Sequence, residues 1–180
     1  MSCNGKLLEC VTTAKILGVH MDEHLTWADH VTALLSSCYV TLAALRKLRN
    51  LAPYHVRKQL VESLVMSKMD YGCVVSYPLP EYQMKRLQRV QTTRAGYVLG
   101  WYAVLEDLQK LKWLPIIKSR DLALLKITHK VLYNDVWPVY LRLKFHTVSA
   151  YNLRSLEAPK LAIPTESGTF QDSAARFLIR

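Results

Sequence analysis

Apolar residues recur at alternating steps of four and three through Val31, Leu35, Cys38, Leu42 and Leu45. That spacing stacks one side chain per turn on a single helical face. Thr26, followed three residues later by Asp29, has the form of a capping box with Asp in place of Glu. A first helix is therefore predicted from about Trp27 to about Asn50. Ahead of it, LLECV (7–11) and KILGV (15–19) read as two short strands following a turn-prone Asn4-Gly5, an N-terminal hairpin.

Pro53 suits the first turn of a second helix, and Gly72 lies just past its expected end near Asp70. Val56, Leu60, Val61, Leu64, Val65 and Met69 cover more than half of its circumference, which predicts a central and mostly buried helix. Pro80 opens a third helix to about Leu99, with Met84, Leu87, Val90 and Val98 on its inner face. LEDLQKL (105–111) predicts a short fourth helix. The fifth runs from about Pro115 to Asn134, with Ile117, Leu124, Ile127, Val131 and Leu132 facing in. Beyond Trp137-Pro138 the periodicity weakens into mixed loop and short extended pieces over 145–169, with FQDSAARFLI as a last short helix. The expected fold is mainly α: an N-terminal β-hairpin (1–24), a bundle of about five helices (25–144) and an irregular C-terminal segment (145–180).

Composition agrees with a globular chain of one ordinary domain: 180 residues, 51% hydrophobic and 21% charged. Charge changes the picture further. The net charge is +10, distributed as −2 over residues 1–40, +7 over 41–100, +4 over 101–150 and +1 over 151–180. A basic excess in the middle of the chain favours a polyanionic partner, nucleic acid before an anionic membrane. No signal-like apolar segment and no uncharged run of eighteen residues is present, so a soluble intracellular protein without a membrane span is expected. Cys3, Cys10, Cys38 and Cys73 are scattered without a CxxC pair, which argues for thiols over a disulfide framework or a zinc ribbon.

His20, His24 and His30 fall in one stretch with Asp22, Glu23 and Asp29. His20 and His24 are four apart, as in a helical zinc pair, but they lie in the strand-to-helix link with MDE between them, and the three histidines read as junction residues. Adjacent carboxylates such as Asp22-Glu23 and Glu106-Asp107 point apart. There is no glycine-rich phosphate loop and no GxSxG. No catalytic residue, metal ligand or cofactor site is expected.

The basic residues form patterns. Lys85, Arg86 and Arg89 share about 100° of arc on the third helix, with Tyr82 and Thr93 between them. Such a cationic strip suits a nucleic-acid backbone, with stacking available from Tyr82. Arg46, Lys47 and Arg49 end the first helix and Arg57 and Lys58 begin the second, so the turn at 50–53 would bring them together. Lys126 and Lys130 make an i, i+4 pair on the fifth helix. Trp101, Tyr102, Trp113, Trp137 and Tyr140 recur near prolines and helix ends, and read as core or junction packing.

AKILGVHMDEHLTWADHV, LRKLRNLAP, SLVMSKMDYG, LQRVQTTRAGYVLG, LKWLPI with SRDLALLKITHKVLYND, and WPVYL resemble, in order, the region after the palm in non-LTR (LINE-type) retrotransposon reverse transcriptases. The resemblance covers about residues 4 to 178. It implies that Lys15, Leu17, Gly18 and Val19 match the family's primer-grip hairpin, at the end of the palm. The helices after it would correspond to a thumb and a helical connector that hold template and primer. The family's metal-binding palm aspartates include an Asp-Asp pair upstream of this block, and the sequence contains no adjacent Asp pair. No polymerase activity is therefore expected of this chain, since phosphoryl transfer would lack its metal ligands. The chain departs from the family where Gln91-Thr92-Thr93-Arg94 replaces a usual Gln-Asn-x-Ala. Arg94 then falls about 20° from Leu87, on the apolar side, so it needs a buried acceptor or strains the helix. The expected function is that of a non-catalytic fragment retaining affinity for an RNA or DNA backbone. The alternatives are a helical module that meets a protein partner through its exposed hairpin edge, or the non-functional product of a decayed element.

Overall fold

Alternation of buried and exposed positions produces a mainly helical structure behind a small hairpin, in a computed structural model that describes residues 2–3, 6–7, 11–134 and 136–142. The elements are β1 (Ser2–Cys3), β2 (Lys6–Leu7), β3 (Thr13–Ile16), β4 (Val19–Asp22), α1 (Ala28–Lys47), α2 (Tyr54–Val61), a π-helical turn (Glu62–Met66), α3 (Ser67–Asp70), α4 (Glu81–Leu99), α5 (Asp107–Lys110), α6 (Ile116–Tyr133) and α7 (Val139–Arg142). Two compact units divide between Ile116 and Ile117. The expected irregular segment 145–180, with its terminal helix, lies outside the described residues.

The hairpin differs from the expected pair of strands. KILGV is not one strand: it spans the turn, with Leu17 at φ 48 and Gly18 at φ 83 joining β3 to β4. Positive φ at both central positions makes a type I′ turn, whose twist suits a two-residue hairpin. Lys15 consequently pairs with His20, and Ile16 with Val19. Of LLECV, Leu7 belongs to the separate two-residue pairing of β2 with β1, and residues 8–10 lie outside the described residues. The apolar run was continuous across a turn that carries no Asn-Gly signal, so polarity could not mark it.

The hairpin is fastened to the helices at both ends. At its turn the Tyr71 hydroxyl donates to the Leu17 carbonyl at 2.7 Å, and a Cβ on Gly72 would lie 3.3 Å from Val19 Cγ2. At its base the Asp22 carboxylate accepts from Thr26 N (2.8 Å), Thr26 Oγ1 (2.7 Å), Trp27 N and His24 N (both 3.1 Å). This corrects the expected capping box. Trp27 is the cap residue, in the left-handed region at φ 61 and without a side-chain cap bond, and Asp22 takes the Thr26 N–H that Asp29 was expected to receive.

The stripe of α1 forms as its periodicity predicts: Val31, Leu35, Cys38, Leu42 and Leu45 are all buried. They pack with Val61, Val65 and Met69, with Leu87, Val90, Ala95 and Val98 of α4, and with Leu108, Leu111, Trp113 and Ile116. By length and composition α1 is also long and apolar enough to cross a membrane, the one such helix among the described residues, and a third of its apolar window is buried here.

Residues 54–70 are less buried than their wheel predicts. Only Val61, Val65 and Met69 are fully enclosed, while Leu64 is 43% exposed. The wheel assumed an unbroken α-helix, and the π turn alters its phase. Ser63 Oγ donates to the Gln59 carbonyl at 2.8 Å and Ser67 Oγ to that of Ser63, satisfying acceptors at the widened turn. On α6 the buried stripe is Ile116, Arg120, Leu124, Thr128 and Val131, whereas Ile117 and Ile127 are exposed. Two of these positions are polar, so a face drawn through apolar residues alone was misplaced.

Candidate nucleic-acid interface

Tyr39 and Arg46 stand seven residues apart on α1, two turns and therefore the same face. Arg89, Thr92, Thr93 and Gly96 make the matching row on α4. Between these rows, and closed by Arg49 and the segment Trp101–Ala103, lies a groove of about 600 Å³. Among the described residues none of its lining side chains is a carboxylate. Two arginines from the end of α1 and one from α4 thus line one concave surface.

The groove's rigidity has identifiable causes. Arg49 Nη2 donates to the Gly100 carbonyl, a cation at the negative C-terminal end of α4. Gly100 caps that helix at φ 97, its N–H bonding Gly96 O at 2.9 Å. A Cβ on Gly96 would lie 2.8 Å from the Trp101 carbonyl oxygen, so only glycine lets this segment press onto α4. Asp107 then orders the segment: it accepts from Val104 N at 3.0 Å and pairs with Lys110 at 2.7 Å. Its carboxyl is held below the ordinary aspartate range by Lys110, then by the Val104 N–H, with a further hydrogen bond from Trp101. Lys110 Nζ sits 5.6 Å from the Trp101 ring centroid.

The floor of the groove is Tyr97, 3% exposed. Its hydroxyl has no hydrogen-bond partner. Burial raises its pKa while Arg57 and Arg49 pull it back. Thr92 and Thr93 direct their hydroxyl protons at the Arg89 carbonyl, at 3.0 and 2.7 Å, and so serve as wall more than as donors.

Of the expected cationic residues, Arg46, Arg49 and Arg89 meet in the groove, and the others do not. Lys85 pairs with Glu81 at 2.7 Å. Arg86 is a clamp between helices, donating to Gln83 Oε1 at 3.0 Å and Thr32 Oγ1 at 3.2 Å. Tyr82 accepts from Gln83 Nε2 at 3.1 Å, Lys58 approaches Glu62 at 3.9 Å, Arg57 is half-buried and Lys47 is exposed. The aromatic reading needs correction as well. Trp113 is buried as expected, but Trp101 is 54% and Tyr102 93% exposed, both lining the groove. Tyr140 is also exposed. Sequence could not distinguish them, because exposure depends on where the loop lands on α4. Gly96 and Gly100, bracketing the helix end, were the available signal.

Lys15 and Gly18 line a different cavity of about 460 Å³ with His20, His30, Ser37, Lys68 and Tyr71. Lys68 Nζ is held there by Ser37 Oγ at 2.9 Å and Thr41 Oγ1 at 2.7 Å. The rings of His20 and His30 are 6.5 Å apart, and His24 pairs with Glu23 at 3.1 Å. Among the described residues no three His, Cys, Asp or Glu side chains gather where a metal ion could bind. Comparison with protein-family models, characterised proteins and solved structures finds no match to this chain.

Proposed function

We propose that this chain binds nucleic acid through the groove between α1 and α4, as a non-catalytic piece similar to the post-palm region of LINE-type reverse transcriptases. The observation that carries the proposal is the convergence of Arg46, Arg49 and Arg89 on one concave surface lined by no carboxylate. Guanidiniums so placed neutralise phosphates and release counterions, which makes affinity salt-dependent and largely independent of sequence. The ordered motifs from KILGV to WPVYL and the charge of +7 over residues 41–100 support the same reading. In it the chain holds a strand and carries out no phosphoryl transfer.

Titration of the purified protein with labelled RNA and DNA at two salt concentrations tests this. Each phosphate contact contributes about −0.7 to the log–log salt slope for single strands and about −0.9 for duplex DNA. Arg46→Gln combined with Arg89→Gln should flatten the slope by nearly two such contacts. Binding indifferent to salt, or a slope untouched by the double variant, removes the proposal. The competing reading, a protein partner on the outer edge of β3, draws on the exposure of Val11 and Ile16. It would be favoured by a cooperatively folded protein that binds no nucleic acid.

A further inference from the structure

We infer that the groove takes a single strand with its bases unpaired, the aromatic side chains stacking on bases while the arginines hold phosphates. This rests on the proposed function and specifies the form of nucleic acid.

Three exposed aromatic side chains line the groove with the three arginines, Tyr39 from α1 and Trp101 and Tyr102 from the segment after α4. They are 43%, 54% and 93% exposed. A duplex turns its base faces inward and presents phosphates, for which arginines alone would serve. Exposed ring faces beside guanidiniums match a strand whose bases are splayed out. The Trp101 ring is also held before any ligand arrives. Lys110 lies against the indole and is itself fixed by Asp107 at 2.7 Å, and the missing Cβ of Gly96 seats the loop on α4. A ring fixed in advance loses little conformational freedom on binding. Because Thr92 and Thr93 donate to their own helix, the α4 wall offers few neutral donors for base edges. Recognition should therefore be tolerant of base sequence.

The experiment compares three labelled ligands of equal length by fluorescence anisotropy: an intact single strand, the same strand with abasic positions, and the blunt duplex. Intact single strand should bind at least about tenfold tighter than the abasic strand, since stacking on an aromatic is worth roughly 1–3 kcal/mol per base. Tyr102→Ala, at a side chain too exposed to affect folding, should weaken intact single strand about tenfold. It should leave abasic affinity and the salt slope unchanged. Equal affinity for intact and abasic strands, or tighter binding of duplex, overturns the inference while backbone binding stands. No binding to any of the three overturns both.

Discussion

The guanidinium of Arg94 lies over the indole of Trp113, 5.0 Å from the ring centroid, and donates from Nη1 to Met69 Sδ at 3.5 Å. It is 2% exposed, with no partner for Nε. Burial lowers its pKa to about 10, offset in part by Asp70, then Cys38 and Glu62. The charge that fell on the apolar side of the third helix has thus found a ring and a sulfur, with its carboxylate support only through space.

Replacing Arg94 with Met should leave the melting temperature unchanged or raise it, because a buried cation without a close counter-ion costs more than it returns. The sign with pH follows from the direction of the shift. A cation whose folded pKa is depressed carries its penalty throughout the range below about 10, and the penalty eases only as pH rises past that value. The stability difference between variant and parent should shrink in strong alkali. A melting temperature lower by more than about 5 °C in the variant would show that the ring and sulfur contacts outweigh desolvation.

Asp22 makes the opposite prediction. Its carboxyl is held below the ordinary value of 3.8, first by the Thr26 N–H and then by the Thr26 hydroxyl. A depressed carboxyl stabilises the fold above its unfolded pKa and loses that contribution as pH falls through the folded value. Asp22→Ala should therefore lower the melting temperature at neutral pH. The gap should close in acid, once pH has fallen through the folded value and the native carboxylate is protonated. A gap that persists unchanged there would mean that the carboxylate bonds are not its source.

Gly96→Ala sets two effects against each other. Alanine gains about 1 kcal/mol of helix propensity, but its Cβ would sit 2.8 Å from the Trp101 carbonyl. That neighbour is backbone and must move, at a cost of about 1–3 kcal/mol. The net expectation is destabilisation, with a rise in Trp101 mobility visible in fluorescence anisotropy. A stabilised variant would show that the loop yields easily.

Leu17 occupies the left-handed region at φ 48 and is 85% exposed. Holding leucine there costs about 1–2 kcal/mol relative to residues suited to that region. Asn followed by Gly is the preferred pair for this turn, so Leu17→Asn should stabilise by about 0.5–1 kcal/mol in urea unfolding. No gain would indicate that the exposed leucine makes contacts that offset its strain.

Local periodicity made α1 legible, since all its buried positions but His30 are apolar and evenly spaced. The ends of α4 were legible for a similar reason: Pro80 and Gly100 punctuate it. Long-range placement was not. Gln88 Oε1 receives the Ile116 N–H at 3.0 Å and Gln91 Nε2 donates to the Leu114 carbonyl, so two glutamines fasten a segment more than twenty residues away. No spacing rule announces such clamps. The groove was half legible: its arginines stood out by charge, but their meeting depends on α1 lying beside α4. The strip through Lys85 and Arg86 was a true arc on the wheel, answered by partners on the same helix and on α1.

The π turn at Glu62–Met66 has a further meaning for the spelling of the chain. Steps of four through Val61, Val65 and Met69 would creep about 40° per step around a regular α-helix. The wide turn winds back against that creep, and all three remain enclosed. The same turn sets the azimuth at which the helix delivers Tyr71 and Gly72 to the hairpin. Winding the same residues as regular α-helix, at about 100° per residue, would swing both away from the hairpin, parting the Tyr71 hydroxyl from Leu17 without altering either residue. Along this stretch the fold is held by how tightly the backbone is wound as much as by the chemistry of its side chains.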